Sequence, residues 1–182
     1  MTHTLFGVKI DDISASELRA TVERWLQEEG RHTIATPNAE FLLEARKNPR
    51  FMNLLNQSDL SVADSVSLQY AAAALSERLE NRLPGVDLLE KLCEIAAYPG
   101  STSSPHGSTR VLLLGGDPSA AELSARNMRQ RLETLDVVAL DPGRVDWDGT
   151  SIDIHDDLLH QINEIAPSIV AVALGHYKQE QF

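Results

Sequence analysis

Asp64 ends the short apolar run Leu60-Ser61-Val62-Ala63 and precedes an alanine-rich stretch, so a carboxylate stands where a strand gives way to a helix. A carboxylate held there can take a proton from a hydroxyl as a general base, and an aspartate in the same place is equally suited to cap the helix. Thr36 and Asn38, within Thr36-Pro37-Asn38-Ala39-Glu40, follow another short apolar segment. Their hydroxyl and amide can orient the hydroxyls of a ligand, or shape a turn and cap the next helix. Arg82 can neutralise developing negative charge or simply pair with an acid; Asp87 can hold that arginine or cap the helix after Gly85. Gly115-Gly116 allows close backbone approach to an anion, with the helix start after Pro118 supplying donors. Gly175, Lys178 and Gln179 follow the last apolar run, where a solvated chain end is the plainer alternative. All these positions fall at the ends of predicted strands, the edge of an α/β sheet where ligands collect, and they point to an enzyme.

The elements that must hold these residues are legible from periodicity and punctuation. Leu5 to Ile10 alternates and reads as an edge strand or hairpin arm before Asp11-Asp12, a turn-prone pair. Ser14 with Glu17 forms a capping box, and Leu18, Val22, Trp25 and Leu26 recur at helical spacing until Gly30. A short buried strand is expected over residues 32–36, a helix from Ala39 to before Pro49, a further short helix around Phe51 to Leu55, and a helix over residues 66–75. Leu88, Leu89, Leu92, Cys93 and Ala96 form the inward stripe of another helix. Val111 to Leu114, a helix opened by Asp117-Pro118, and Leu135 to Leu140 give β-α-β order. Ile152 to Ile165 has helical spacing, and Ile169 to Leu174 reads as a parallel strand covered on both faces. The alternation predicts an α/β fold, a doubly wound, Rossmann-like, mostly parallel sheet with helices on both faces. Residues 98–108, rich in Pro, Gly, Ser and Thr, are expected to form a flexible surface loop within a single domain spanning 1–182.

Composition narrows the class. The chain has 182 residues, 42% of them hydrophobic, enough for one sizeable core. Lys and Arg number 16 against 27 Asp and Glu, a net charge of −11, which disfavours a nucleic-acid partner. Cys93 is the one cysteine, so no internal disulfide or cysteine-built zinc site forms, and a reducing, cytoplasmic setting is expected. The start lacks the pattern of a signal peptide, and no stretch approaches the ~18 apolar residues of a spanning helix.

Taken together, the signatures Thr36, Asn38 and Glu40; Asp64; Arg82, Gly85 and Asp87; Leu114-Gly115-Gly116; Asn163 near Pro167; and Gly175 with Lys178-Gln179-Glu180 resemble the WecG/TagA/CpsF glycosyltransferase family over nearly the whole chain. The resemblance implies transfer of a sugar, often N-acetylmannosamine or its uronic acid, from a UDP donor to a sugar carried on a polyprenyl diphosphate, with inversion, no metal and no cofactor. It implies Asp64 as base, Thr36 and Asn38 positioning substrate, and Arg82, Asp87, Gly115, Gly116, Gly175, Lys178 and Gln179 handling the donor. The setting it implies is cytoplasmic, peripheral at the inner membrane face where a further segment or partner supplies the contact. Family chains continue past Lys178-Gln179-Glu180 with another strand and a basic C-terminal segment, whereas this sequence stops at Phe182. Self-association through apolar surface near Val172 and Leu174 is then expected.

Departures from the pattern temper that picture. Ser65 and Ser67 stand where the family usually has glycines, and Tyr177 where it has proline. They leave open a non-catalytic nucleotide-sugar-binding or scaffolding module. Asp146-Trp147-Asp148 matches the metal-holding Asp-x-Asp of other glycosyltransferases, with a solvated acidic turn preferred. His155 and His160 lack ligand spacing, neither Gly-x-Gly-x-x-Gly nor Gly-x-Ser-x-Gly is present, and Cys93 is expected in the core rather than as a nucleophile.

Overall fold

A computed structural model describes residues 1–98, 109–147 and 152–182. The expected loop over 98–108 therefore lies outside the described residues except for Tyr98, as does Asp148 of the Asp-x-Asp match. The chain divides into two compact units, Met1–Leu89 and Glu90–Phe182.

The first unit opens with an antiparallel hairpin of β1 (Thr2–Leu5) and β2 (Val8–Asp11). Its two turn residues, Phe6 and Gly7, both have positive φ, 52° and 89°, the geometry that matches strand twist in a two-residue hairpin. The alternating run from Leu5 to Ile10 thus straddles a turn instead of forming one arm. Its alternation survives because Leu5 and Val8 pair across the turn, and Leu5, Val8 and Ile10 are all fully buried. Helix α1 (Ala15–Trp25) starts at Ser14 with both halves of the capping box formed, and buries Leu18 and Val22.

β3 (Ile34–Ala35) and β4 (Leu60–Ser61) pair in parallel. Hydrogen bonding runs beyond these short assignments, from Leu60 N to Thr33 O, Val62 N to Ala35 O and Asp64 N to Pro37 O at 2.9–3.2 Å. The crossover between them holds α2 (Ala39–Lys47) and α3 (Pro49–Gln57). Asn48 ends the first and caps the second, accepting from Arg50 N and Phe51 N, while Pro49 sits in the first turn, where its missing N–H costs nothing. Phe41 and Phe51 meet edge to face with centroids 5.5 Å apart. α4 (Val66–Ala74) buries Leu68 and Ala72, and α5 (Gly85–Ala97) begins in this unit.

The second unit is built on a parallel sheet in the order β6-β5-β9, from β5 (Arg110–Gly115), β6 (Asp136–Leu140) and β9 (Ile169–Ala173). Between β5 and β6 runs α6 (Pro118–Arg131); β7 (Asp146–Trp147), β8 (Ile152–Asp153) and α7 (Asp156–Ile165) follow. β5 is central and buried from Val111 onward, its Leu112 and Leu114 packing with Leu158 of α7 and with Leu140, Ile154, Ile162 and Ile165. Arg110 ties the start of β5 to its neighbours, donating to Asp136 and to the Ile165 carbonyl, both at 2.7 Å.

Two sequence expectations shift here. Helix α7 begins at Asp156, because Ile152–Asp153 pairs with β7 as an antiparallel strand. β9 flanks β5 on one side only and none of its residues is fully buried, Val170 being 38% exposed, so the expected cover on both faces is not reached. The organisation is nevertheless a Rossmann-like α/β fold, with seven helices and a parallel three-stranded sheet among the described residues. No helix among them is long and apolar enough to cross a membrane.

Candidate active site

In the first unit the parallel β3–β4 pairing brings Thr36 and Asp64 to the same strand edge. Asp64 does not cap α4: Ser65 occupies that N-cap, and its hydroxyl pairs with Ser67 Oγ. The carboxylate reaches instead to the start of α5, where Oδ1 accepts the Gly85 N–H at 2.8 Å. A Cβ added at Gly85 would stand 3.6 Å from Thr36 Oγ1 and 4.0 Å from Asp64 Oδ1. Glycine there keeps the space between hydroxyl and carboxylate clear. Arg82 lies at the same edge, with a long 3.5 Å contact from Nη1 to the Asp64 carbonyl. Asp87, exposed in the first turn of α5, forms no ion pair with Arg82 among the described residues and suits the positive end of the helix.

Asn38 does what the plainer reading of its side chain foresees: it is the N-cap of α2, Oδ1 accepting from Phe41 N at 3.1 Å. The cap uses only the amide oxygen and leaves the N–H donors outside it. Asn38→Ala is expected to cost about 0.5–2 kcal/mol of stability, whereas Asn38→Asp, which keeps a capping oxygen, should stay within a few tenths. Urea unfolding of the two variants checks this.

Three residues that organise this edge carry no signal in local spacing. Asp11 and Asp12, read as a turn pair, lie at the end of the hairpin, and their carboxylates point to distant backbone. Asp11 Oδ2 accepts from Ser61 N at 2.9 Å, fixing β4 three residues before Asp64. Asp12 accepts from Glu80 N, Asn81 N and Asn81 Nδ2 at 2.7–2.9 Å. Gln69 of α4 donates to the carbonyls of Leu79 and Glu80, both at 3.1 Å.

Burial pushes the Asp12 carboxyl up, but the bonds from Glu80 and Asn81, with the nearby His3, more than offset it and hold it below its ordinary 3.8. A carboxyl with a lowered folded value contributes stability that is fully present above the unfolded value and lost as pH falls through the folded one. His3 and Glu77 are the titratable groups that complete this cluster. Asp12→Asn is therefore expected to destabilise the chain at about pH 5 and above, the gap from wild type closing only below about 4. Urea titrations across that range read it.

In the second unit Gly115 and Gly116 end β5 with φ of 91° and 77°. A Cβ on Gly115 would lie 2.6 Å from the Ala173 carbonyl oxygen, and the Gly116 N–H donates to that same oxygen at 2.8 Å. The glycines thus serve close packing of two parallel strand ends. The helix start beyond them is also occupied: Asp117 accepts from the Ser119 hydroxyl, Ser119 N and Ala120 N. The Ser119 hydroxyl and the two amides hold the Asp117 carboxyl below the usual carboxylate range.

Gly175, Lys178 and Gln179 come together in one turn after β9, closed by Gln179 N to Gly175 O at 3.2 Å. Lys178 Nζ donates to the Val145 carbonyl at 2.8 Å. Glu180 accepts from Gln179 Nε2 and Tyr177 N, both at 2.7 Å; burial pushes its carboxyl up, and these bonds only partly offset that. Tyr177 is buried with φ of 78°, a conformation closed to the proline of the family pattern. Ser65, at φ −128°, takes ordinary extended backbone and is accommodated without strain.

Cys93 and Asp146, the residues behind two other readings, have neighbours of their own. Burial, then Glu90 and Glu94, push the buried Cys93 thiol up to about 11, and its Sγ rests 3.6 Å from Met128 Sδ, as expected of a core residue. Asp146 Oδ1 accepts from Arg144 Nε at 2.6 Å. Among the described residues no group of three or more His, Cys, Asp or Glu is placed to hold a metal ion.

The model of the glycosyl transferase WecG/TagA/CpsF family matches residues 3–182. Among curated proteins, the chain is similar to the N-acetylglucosaminyldiphosphoundecaprenol N-acetyl-beta-D-mannosaminyltransferases of Staphylococcus aureus strains NCTC 8325 / PS 47, COL and MSSA476. Each is 22% identical over 180 residues, which cover 98% of this chain and 65% of the relative. The chain thus spans just under two thirds of the length of these relatives.

Proposed function

Because the chain belongs to the WecG/TagA/CpsF glycosyltransferase family, we propose that it transfers a sugar of the N-acetylmannosamine type from a UDP-sugar to a polyprenyl-diphosphate-linked sugar. The transfer inverts the anomeric carbon and uses no metal, in the synthesis of surface polysaccharide or teichoic acid. The relatives' names support the acceptor and the sugar, and residues 1–182 act as one functional domain at the inner face of the cell membrane.

The observation that carries this reading is the Asp64 carboxylate at the strand edge, one oxygen held by Gly85 N–H at 2.8 Å and Thr36 beside it. In the proposed step the acceptor hydroxyl gives its proton to Asp64 as its oxygen bonds to the anomeric carbon. The bond from that carbon to the β-phosphate oxygen breaks, and UDP leaves with the electron pair. Arg82 offsets the charge that gathers on the diphosphate. Thr36 and the Asn38 N–H donors orient sugar hydroxyls, with Asp87 bordering the donor beside Arg82. The Gly115-Gly116 turn and the Gly175 turn, with Lys178 and Gln179, handle the nucleotide.

A second reading, a nucleotide-sugar-binding module without turnover, is favoured by the commitment of the Gly116, Lys178 and Gln179 donors to groups of the chain itself. Calorimetric titration of UDP, once with magnesium and once with excess chelator, is the first test. Equal affinity in both buffers is expected. Binding that needs magnesium would sink the metal-free step and turn attention to Asp146 and Asp148.

A further inference from the structure

We propose that Asp12 is a positioning residue that acts on donor binding through Arg82, a role that rests on the reading of Arg82 given above. Residues 77–84 form neither helix nor strand. A segment without its own ladder takes its position from whatever satisfies its backbone groups. Asp12 satisfies the two backbone N–H groups immediately before Arg82. Its side chain is 8% exposed, and its two oxygens take Glu80 N, Asn81 N and Asn81 Nδ2, the groups immediately before Arg82.

The carboxylate is itself fixed from behind. Met1 N donates to the Asp12 carbonyl at 2.8 Å and Asp12 N to the Met1 carbonyl at 2.7 Å, so the residue closes the open end of the hairpin. From the other side, Gln69 holds the carbonyls of Leu79 and Glu80, and Leu83 N bonds Ala63 O at 2.8 Å, one residue before Asp64. Arg82 is thus an exposed side chain on a clamped base. The neighbouring Asp11 fixes the other arm of the edge through Ser61 N. Adjacent acids, the last residue of β2 and the one after it, therefore set the spacing between the proposed base and the proposed cation. Such spacing matters because a displacement of about 1 Å can cost about a hundredfold in a positioned reaction.

An asparagine at 12 keeps the shape but offers one acceptor oxygen and an N–H₂ group to three donors. The test is a double-mutant cycle on the chain, with Asp12→Asn and Arg82→Ala alone and together, read as the dissociation constant for UDP by calorimetry beside thermal melts. Asp12→Asn is expected to weaken UDP binding about tenfold, and to add nothing once Arg82 is alanine. Losses that multiply would overturn the coupling and leave the role of Arg82 standing. An Arg82→Ala variant that binds UDP like wild type overturns the reading of Arg82 and this proposal with it. If Asp12→Asn does not fold, Gln69→Leu, which frees the same segment from its other side, is expected to give the same non-additive pattern, and additivity there is equally fatal.

Discussion

Asp64→Asn is expected to lower the rate of sugar transfer by about 10²–10⁴-fold while the chain stays folded and UDP still binds. The substitution is informative because of the side chain's second task. One carboxylate oxygen accepts the Gly85 N–H at the start of α5, and the amide oxygen of asparagine can accept the same bond. What asparagine lacks is basicity, so rate and stability separate. Asp64→Ala removes both functions and should add a loss of about 0.5–2 kcal/mol, the usual cost of an unsatisfied helix start. Single-turnover transfer to a lipid-linked acceptor, measured beside thermal melts, distinguishes the outcomes. Wild-type turnover by Asp64→Asn would remove Asp64 as base and favour the binding-module reading.

Gly115→Ala should be the most damaging small substitution in the second unit, costing about 2–6 kcal/mol. Two contributions add. A residue with a side chain at φ 91° is strained by about 1–3 kcal/mol. The new methyl would lie 2.6 Å from the Ala173 carbonyl oxygen, and a backbone atom in a parallel ladder cannot swing away as a flexible side chain can. Against a total stability of about 5–15 kcal/mol, that loss is large. Gly116→Ala is the control, since φ there is 77° but the nearest atom to an added Cβ is 4.0 Å away. Urea midpoints for the pair should differ clearly; equal midpoints would mean that backbone conformation alone makes both glycines necessary.

That glycine shows how one residue supports two readings. A Gly-Gly step after an apolar strand suggests a ligand approaching the backbone, and from the sequence nothing distinguishes a ligand from a neighbouring strand. Signals that reside in a few adjacent residues were legible: Ser14 with Glu17, Pro118 opening α6, and the delivery of Asp64 at the end of β4. The hairpin turn was hidden because one of its positive-φ residues is Phe6, which carries no turn signature. β8 was hidden because two paired residues are too few to break the helical spacing around them. Asp11 and Asp12 were read as a turn because their partners lie 50, 68 and 69 residues away, and such pairing leaves no trace in local pattern. The same holds for Lys178, whose partner carbonyl is 33 residues back.

Those separations also order the steps by which the first unit becomes competent. A hairpin closes within a dozen residues, and the β3–β4 pairing spans Ile34 to Leu60. The clamp on the Arg82 segment must wait for Glu80 and Asn81, and it draws together ends far apart along the chain. Loop-closure entropy grows with that span, and contacts of long separation are rewarded late in folding. During synthesis, the hairpin bearing Asp12 leaves the ribosome well before these partners, which lie 68 and 69 residues further along. A nascent chain therefore holds its sheet edge, with the proposed base already on it, before it holds the arginine that would meet a nucleotide.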